Sequence, residues 1–221
     1  MYLTKELMMK KIFSVCLLVA AIVVFAGENE IQPVKLPKPQ ITGGKPLMEA
    51  LSARKSMREF GSQELPLQTI SNLLWAAFGI NRPESGKRTA PSAANWQEID
   101  IYIAIPKAVY VYDAKTNILK PVISGDLRAQ FGRQAFVKTA PVVLAYVADY
   151  SKMGRASQTD KDFYAATDTG FISQNVYLFC ASEGLNTVVL GVVDRDTLAR
   201  TLNLKPEQKI ILTQPVGYPK K

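Results

Sequence analysis

The stretch from Asp162 to Gly184 has the length and periodicity of a long helix, yet its apolar residues do not gather on one side. Phe163, Ala166, Phe171, Val176, Phe179 and Cys180 are distributed around much of the circumference. A helix apolar on most sides has to be covered on most sides, so it is either a central core helix or one shared between the core and a partner subunit. The surrounding sequence supplies the covering layers. Ile99, Ile101, Ile103 and Ile105 alternate with Asp100, Tyr102 and Ala104, the pattern of a strand with one buried face. Ala108 to Tyr112 and Leu119 to Ile123 read as a strand pair around a turn at Asp113 to Asn117. Pro141 to Val147 and Thr187 to Val193 read as buried strands, and Lys209 to Thr213 as a last one. Helices are expected from Pro46 onward, with Leu47, Leu51 and Met57 in helical spacing, and from Pro66 to Phe78 with Gly79 as its stop. Two more are expected at Gly125 to Phe136 and at Asp194 to Leu202, the latter with Asp194 as N-cap. Strands and helices do not alternate regularly, which points to an α+β fold with a central, mainly antiparallel or mixed sheet flanked by helices.

The N-terminus follows another logic. Lys10 and Lys11 precede an apolar run from Ile12 to Ala26, and polarity returns at Gly27 and Glu28, as in a secretory signal peptide with Val24 and Ala26 at the cleavage site. Met9 serves equally well as a start, and the run is shorter than the ~20 residues of a membrane span. The alternative is an uncleaved anchor or a buried helix. The expected organisation is a signal peptide over 1–26, an extended linker over 27–45 marked by Pro33, Pro37, Pro39 and Gly43-Gly44, and one domain over 46–221. The mature protein is then exported, periplasmic and without a membrane span. It keeps Cys180 as its single cysteine, which rules out an internal disulfide.

The 221 residues contain no histidine. That excludes histidine general bases, His-containing metal sites and the Ser-His-Asp triad together, and directs attention to cofactor chemistry. The formal charge of +8 is not organised into a basic run interleaved with aromatics, so nucleic acid is not an expected partner, whereas an anionic small ligand is. Arg54, Lys55, Ser56 and Arg58 pack three cations and a hydroxyl into five positions. Such a cluster either neutralises a phosphate or is a solvated basic helix end. In the loop Arg88 to Gln97, small residues allow a planar ring to approach the backbone, and Ser92, Asn95 and Gln97 offer hydrogen bonds to a polar edge.

In order, these segments resemble the nitroreductase superfamily. The likeness rests on Arg54-Lys55-Ser56-Met57-Arg58-Glu59-Phe60, Pro91-Ser92-Ala93-Ala94-Asn95, Gln174-Asn175-Val176-Tyr177-Leu178, Gly184-Leu185-Asn186-Thr187, Leu190-Gly191 and the ending Pro215 to Pro219. Leu74 to Arg82 and Val109 to Tyr112 look nearest to its SagB-like branch. The resemblance implies an FMN-binding, domain-entwined homodimer with the flavins at the subunit interface. It places Arg54, Lys55, Ser56 and Arg58 on the FMN phosphate and ribityl chain, and Pro91, Ser92, Ala93 and Asn95 on the isoalloxazine from the partner subunit. Leu190 and Gly191 would lie at the ring edge, Gln134 at the flavin, and Lys220 or Lys221 at the phosphate. The likeness also assigns the all-round apolar helix to the dimer interface.

The implied activity is ping-pong transfer of hydride or electrons between NAD(P)H, or another donor, and an electron-poor acceptor such as a nitroaromatic or quinone. Two alternatives stand beside it: a SagB-like FMN dehydrogenase that oxidises a peptide azoline or another small substrate, and a flavin-binding module without turnover. The signal reading is checked by mass spectrometry of the exported protein, which is expected to begin near residue 27. Full-length chain in the cytosol would overturn it.

Overall fold

The computed structural model describes residues 31–220. The expected signal segment, 1–26, and Lys221 lie outside the described residues. The fold is organised around the two most apolar strands, Val142–Asp149 (β7) and Ile99–Ile105 (β4), which pair antiparallel from Ile99↔Ala148 to Ala104↔Val143. Outward from β4 lie Ala108–Asp113 (β5), Ile118–Ser124 (β6) and the two-residue edge strand Val34–Lys35 (β1). Outward from β7 lie Gln208–Gly217 (β9) and Asn186–Thr187 (β8). The order β1-β6-β5-β4-β7-β9-β8 is antiparallel at every step, so of the two expected sheet types the antiparallel one is found. The β5–β6 turn is set by Asp113, which accepts the Lys115 N–H at 2.9 Å, and by Asn117 at φ 53°. Asparagine tolerates this left-handed position better than most residues.

The alternation in β4 led to an expectation of one buried face, whereas both are buried. Ile99, Ile101 and Ile103 lie on one side, and Tyr102 and Ala104 join Phe131, Val137, Leu198 and Leu202 in a core on the other. A centre strand of a sheet covered on both sides has no solvent face to leave polar.

The long helix runs over Gln158–Glu183 (α3), starting a turn earlier than expected. Ser157 caps it by accepting the Asp160 N–H at 3.1 Å, and Gly184 ends it at φ 69°. Its buried residues, Ala165, Asp168, Thr169, Ile172, Ser173, Val176 and Cys180, recur at three and four and define one face toward β4 and β9. Val176 is therefore core. The large apolar residues left exposed on it are Phe163 and Phe171, with Ala166 between them also exposed. Helices Leu47–Ala53 (α1) and Leu67–Phe78 (α2) pack against α3. Gly79 stops α2 in extended geometry, and a Cβ there would strike the Trp75 ring at 2.5 Å. No helix among the described residues is long and apolar enough to cross a membrane.

Three expectations need correction. The expected helix at Gly125 to Phe136 is instead two short 3-10 turns, Arg128–Phe131 and Ala135–Thr139. Gly125 at φ 102° and an extended Gly132 interrupt the chain, leaving no stretch long enough to propagate an α-helix. The expected strand at Thr187 to Val193 keeps its pairing only at Asn186–Thr187 and at a bridge from Leu190 to Thr213, after which Gly191 and Val192 turn out to solvent. The segment read as a linker is, from residue 32, held on the domain. β1 pairs with β6, Leu36 is buried, Asn117 Nδ2 donates to Pro37 O at 2.8 Å, and Lys45 N–H donates to Ser182 Oγ at 2.8 Å. Prolines are compatible with an edge strand, where only one side of the backbone needs donors. Downstream, Ile80–Arg82 (β2) and Lys87–Arg88 (β3) form a small hairpin in what the sequence presents as loop, and Arg195–Thr201 (α4) is capped by Asp194 as expected.

The face of α3 on the sheet provides a stability test. Ile172 is fully buried, so Ile172→Ala should lower the unfolding free energy by ~2–5 kcal/mol in urea denaturation, the combined effect of lost burial and a cavity.

Candidate cofactor site

Helix α1 ends at Ala53, and Arg54 closes it by donating its N–H to Ala50 O at 2.9 Å. From Lys55 the chain has no regular structure, so the basic cluster starts at the C-terminus of α1 and runs on beyond it, and Met57, expected on the helix, instead donates its N–H to Thr187 O at 2.9 Å. Arg58, Glu59 and Phe60 line one cleft, of about 1140 Å³, together with Lys220, Arg128 and Phe136. Lys55 and Met57 line another, of about 450 Å³, beside Tyr177 and Asn186. Arg58 and Lys220 thus line the same cleft, while Lys55 lines another.

Tyr177 ties this segment to the end of the sheet, a role that sequence reasoning missed although the residue lies inside the Gln174 to Leu178 motif. Its hydroxyl accepts the Val189 N–H at 2.9 Å and is 2.9 Å from Ser56 Oγ, to which its proton is free to point. The Arg54 guanidinium lies 5.2 Å from the centre of the same ring. Segments 54–58 and 187–191 are held side by side by this side chain of α3 together with the Met57 N–H bond to Thr187 O. Arg54, Lys55 and Arg58 form no ion pair with another described residue.

Leu190 is fixed by exchanging both backbone hydrogen bonds with Thr213, at 2.8 and 3.1 Å, which leaves Gly191 at an exposed edge. Gln134 lies nearby: a Cβ on Gly132 would meet Leu190 Cδ1 at 3.0 Å and Gln134 Oε1 at 3.1 Å. Gln134 Oε1 is buried and has no hydrogen-bond partner among the described residues. A buried carbonyl without a donor is costly, and a bound polar molecule would relieve that cost.

The loop Pro91 to Gln97 stands apart. Ala94, Asn95 and Gln97 have φ of 48°, 55° and 49°. Ser92 Oγ accepts the Gln97 N–H at 3.0 Å, and Gln97 Nε2 reaches Asn95 Oδ1 at 3.2 Å. Arg88 Nε donates to Gln97 Oε1 at 2.8 Å, and Asp168 Oδ2 accepts the Ala93 N–H at 2.8 Å. Burial lowers the pKa of Arg88, whose Nη1 donates to Phe78 O at 2.8 Å and whose guanidinium lies 4.6 Å from the Phe78 ring centre. Asp168 and Tyr177 are nine positions apart on α3, about 14 Å at ~1.5 Å per residue. Pro91, Ser92, Ala93 and Asn95 are thus anchored on α3 at a point separate from the basic segment.

Without a histidine, and with no cluster of metal ligands among the described residues, these surfaces are suited to holding an anionic, partly planar cofactor. Unpaired cations, an orphaned amide oxygen and a free glycine edge fit the phosphate, polar ring edge and ring plane of such a molecule. The Nitroreductase family model matches residues 51–218. A nitroreductase-family protein of Methanocaldococcus jannaschii is 32% identical over 182 residues, covering 77% of this chain and 90% of that one. The crystal structure of a nitroreductase-family protein from Ralstonia eutropha JMP134 superposes with a TM-score of 0.83 at 40% identity, covering 89% of this chain and 93% of the other. The NADPH:FMN oxidoreductase of Vibrio harveyi complexed with NAD+ shares the fold at 22% identity and a TM-score of 0.59, over 79% and 69% of the two chains. The chain belongs to the nitroreductase family and is a flavin-dependent oxidoreductase.

The Tyr177 hydroxyl gives the arrangement a direct test. Tyr177→Phe leaves the Val189 N–H without its acceptor, so urea denaturation should show a loss of ~1–3 kcal/mol; no loss would mean that the hydroxyl does not hold the two segments together.

Proposed function

We propose that this chain is an FMN-dependent oxidoreductase that works as an exported homodimer, passing hydride or electrons from NAD(P)H or another donor to an electron-poor acceptor such as a nitroaromatic or quinone in a ping-pong cycle. The observation that carries the cofactor assignment is the unpaired basic segment beside the orphaned Gln134 oxygen and the Leu190-Gly191 edge. FMN, when bound, supplies the redox chemistry itself. The chain's own residues bind and orient. Arg54 and Arg58, with Lys220, neutralise the phosphate, Ser56 hydrogen-bonds the ribityl chain, and Gln134 receives a hydrogen bond from the polar edge of the ring. Leu190 and Gly191 offer a surface without a bulky side chain at the reacting edge. The Pro91 to Asn95 loop of a second copy covers the remaining face and excludes water.

Dimerisation is supported by what α1 and α3 leave in solvent. Leu47, Met48 and Leu51 on α1, Phe163 and Phe171 on α3, and Ile41 before α1 are all exposed in the single chain, Met48 at 74% and Phe163 at 62%. An array of large apolar side chains on two packed helices is a surface awaiting a partner. Export is supported by the Lys10-Lys11 pair and the apolar run after it.

Arg54→Ala should weaken FMN binding roughly tenfold to a hundredfold, since a charge-assisted hydrogen bond contributes ~1.5–3 kcal/mol, while the weaker binding of riboflavin, which lacks the phosphate, changes little. Flavin fluorescence titrations read both. Unchanged FMN affinity in Arg54→Ala and Arg58→Ala alike would remove the phosphate assignment. Light scattering should report twice the chain mass, falling to one chain in Phe171→Asp.

A further inference from the structure

The loop after Pro91 bends through three left-handed, non-glycine positions, Ala94, Asn95 and Gln97. Asparagine tolerates such a position, but Ala94 and Gln97 adopt it only where the surroundings hold them there. From one side the loop is held by Arg88 through Gln97. From the other it is held by a carboxylate of α3, since Asp168, 1% exposed, accepts the Ala93 N–H at 2.8 Å. Next to Asp168 stands Glu98, the residue that follows the loop and leads into β4. Its side chain is fully buried, and neither carboxyl oxygen has a well-formed hydrogen bond among the described residues. Burial beside a second carboxylate disfavours the charged form of Glu98, so in the acid range Glu98 is the neutral member and Asp168, which has a donor, carries the charge.

We propose that Asp168 and Glu98 form a buried acid pair sharing one proton, which clamps the Ser92 to Gln97 loop in its left-handed turn and makes the loop's position depend on that proton. Asp168 acts as a positioning residue through the Ala93 backbone, and Glu98 is its protonation gate. For flavin binding, the inference rests on the reading that this loop covers the ring of a second copy's cofactor.

The other charged or titratable groups around Glu98 do not take its place. On the turn after β7, Lys152 is committed to Asp100 of β4 at 2.7 Å. Tyr150, on the same turn, donates its hydroxyl to Asp162 of α3 at 2.6 Å. Arg88 reaches the loop through Gln97 and Phe78 O rather than through either acid. Burial, followed by the neighbouring Asp168, pushes the Glu98 pKa to about 7. Burial also raises that of Asp168, against the Ala93 N–H that favours its charged form. Because folding raises the Glu98 pKa, the stability it contributes is full below the ordinary value of 4.5 and is lost as pH climbs through about 7. Above that point two adjacent carboxylates repel and the clamp on Ala93 loosens.

Trp96 sits within this loop with its ring edge-on to Tyr164 of α3 at 5.8 Å, so its emission, isolated by difference against Trp96→Phe, reports the loop without any flavin. In the wild type it should titrate with a midpoint near 7. Glu98→Gln should abolish that transition and hold the low-pH signal. Asp168→Asn, which keeps an acceptor for Ala93 but removes the neighbouring charge, should move the midpoint to lower pH. Asp168→Ala should give a displaced-loop signal at every pH. In flavin titrations at pH 6, Asp168→Ala should weaken FMN and riboflavin alike by roughly tenfold, and Asp168→Asn should restore most of that loss. A flat wild-type Trp96 titration, or one that Glu98→Gln retains, overturns the clamp while leaving flavin binding intact. A wild type that binds neither flavin overturns the cofactor reading, and the Trp96 titration still decides the clamp.

Discussion

Everything else in the fold depends on the contact between the inner face of α3 and the sheet. Ala165, Ile172, Val176 and Cys180 are removed from water against β4 and β9, and α1 and α2 close over the helix from the other side. Beneath it, Tyr146 of β7 donates its buried hydroxyl to Gln214 Oε1 of β9 at 2.5 Å, so these two polar groups enter the layer as a pair. The helix is also a ruler. Asp168 and Tyr177, fixed on one rigid element, hold two otherwise independent pieces of irregular backbone, the Ser92 to Gln97 loop and the 54–58 and 187–191 segments. The α3 hydrogen bonds act together with the Arg88–Gln97 contact on the loop, and with the Met57–Thr187 and Leu190–Thr213 backbone bonds on the other segments.

Cofactor chemistry explains why these pieces are irregular. When no side chain makes or breaks bonds, the protein's contribution is position and charge, and backbone that approaches a planar ring closely has to leave the sheet or helix that would otherwise occupy that space. The chain leaves regular pairing at Gly191, one residue past the bridge to Thr213, and turns left-handed at Ala94 and Asn95, the places where the proposed reading puts the ring. The departures are compensated locally. Tyr177 satisfies the Val189 N–H, and Asp168 satisfies that of Ala93. Gln134 Oε1 is the exception, and it sits where an incoming polar group would be received.

The same economy shows at the surface. Apolar residues that would weaken a lone subunit, Leu47, Met48, Phe163 and Phe171, lie on the two helices nearest the basic segment and the strained loop. In a dimer built on them, the burial that joins two copies would also bring one copy's loop toward the other's cations, coupling assembly to completion of the site.

Local patterns in the sequence were enough to establish much of this. The α+β class, β4 to β7, the Asp113 to Asn117 turn, α2 with its glycine stop and the Asp194 cap were legible because spacing, turn residues and caps act over a few positions, and the order of motifs indicated the family. The absence of histidine by itself removed imidazole chemistry and pointed to a cofactor as the source of reactivity. Tertiary structure decided what depends on distant neighbours. β4 is buried on both faces because a second core lies over it. Residues 32–45 read as a linker but are pinned by Asn117 and Ser182, more than seventy positions away. Glycines at 125 and 132 reduced an expected helix to two turns. Arg58 and Lys55 line different clefts because α1 stops at Ala53 and the chain beyond it leaves the helix, and hydrogen bonding cannot be read from residue types. Tyr177 and the Glu98–Asp168 pair could not be picked out for the same reason: their roles come from burial and from partners brought close only by the fold.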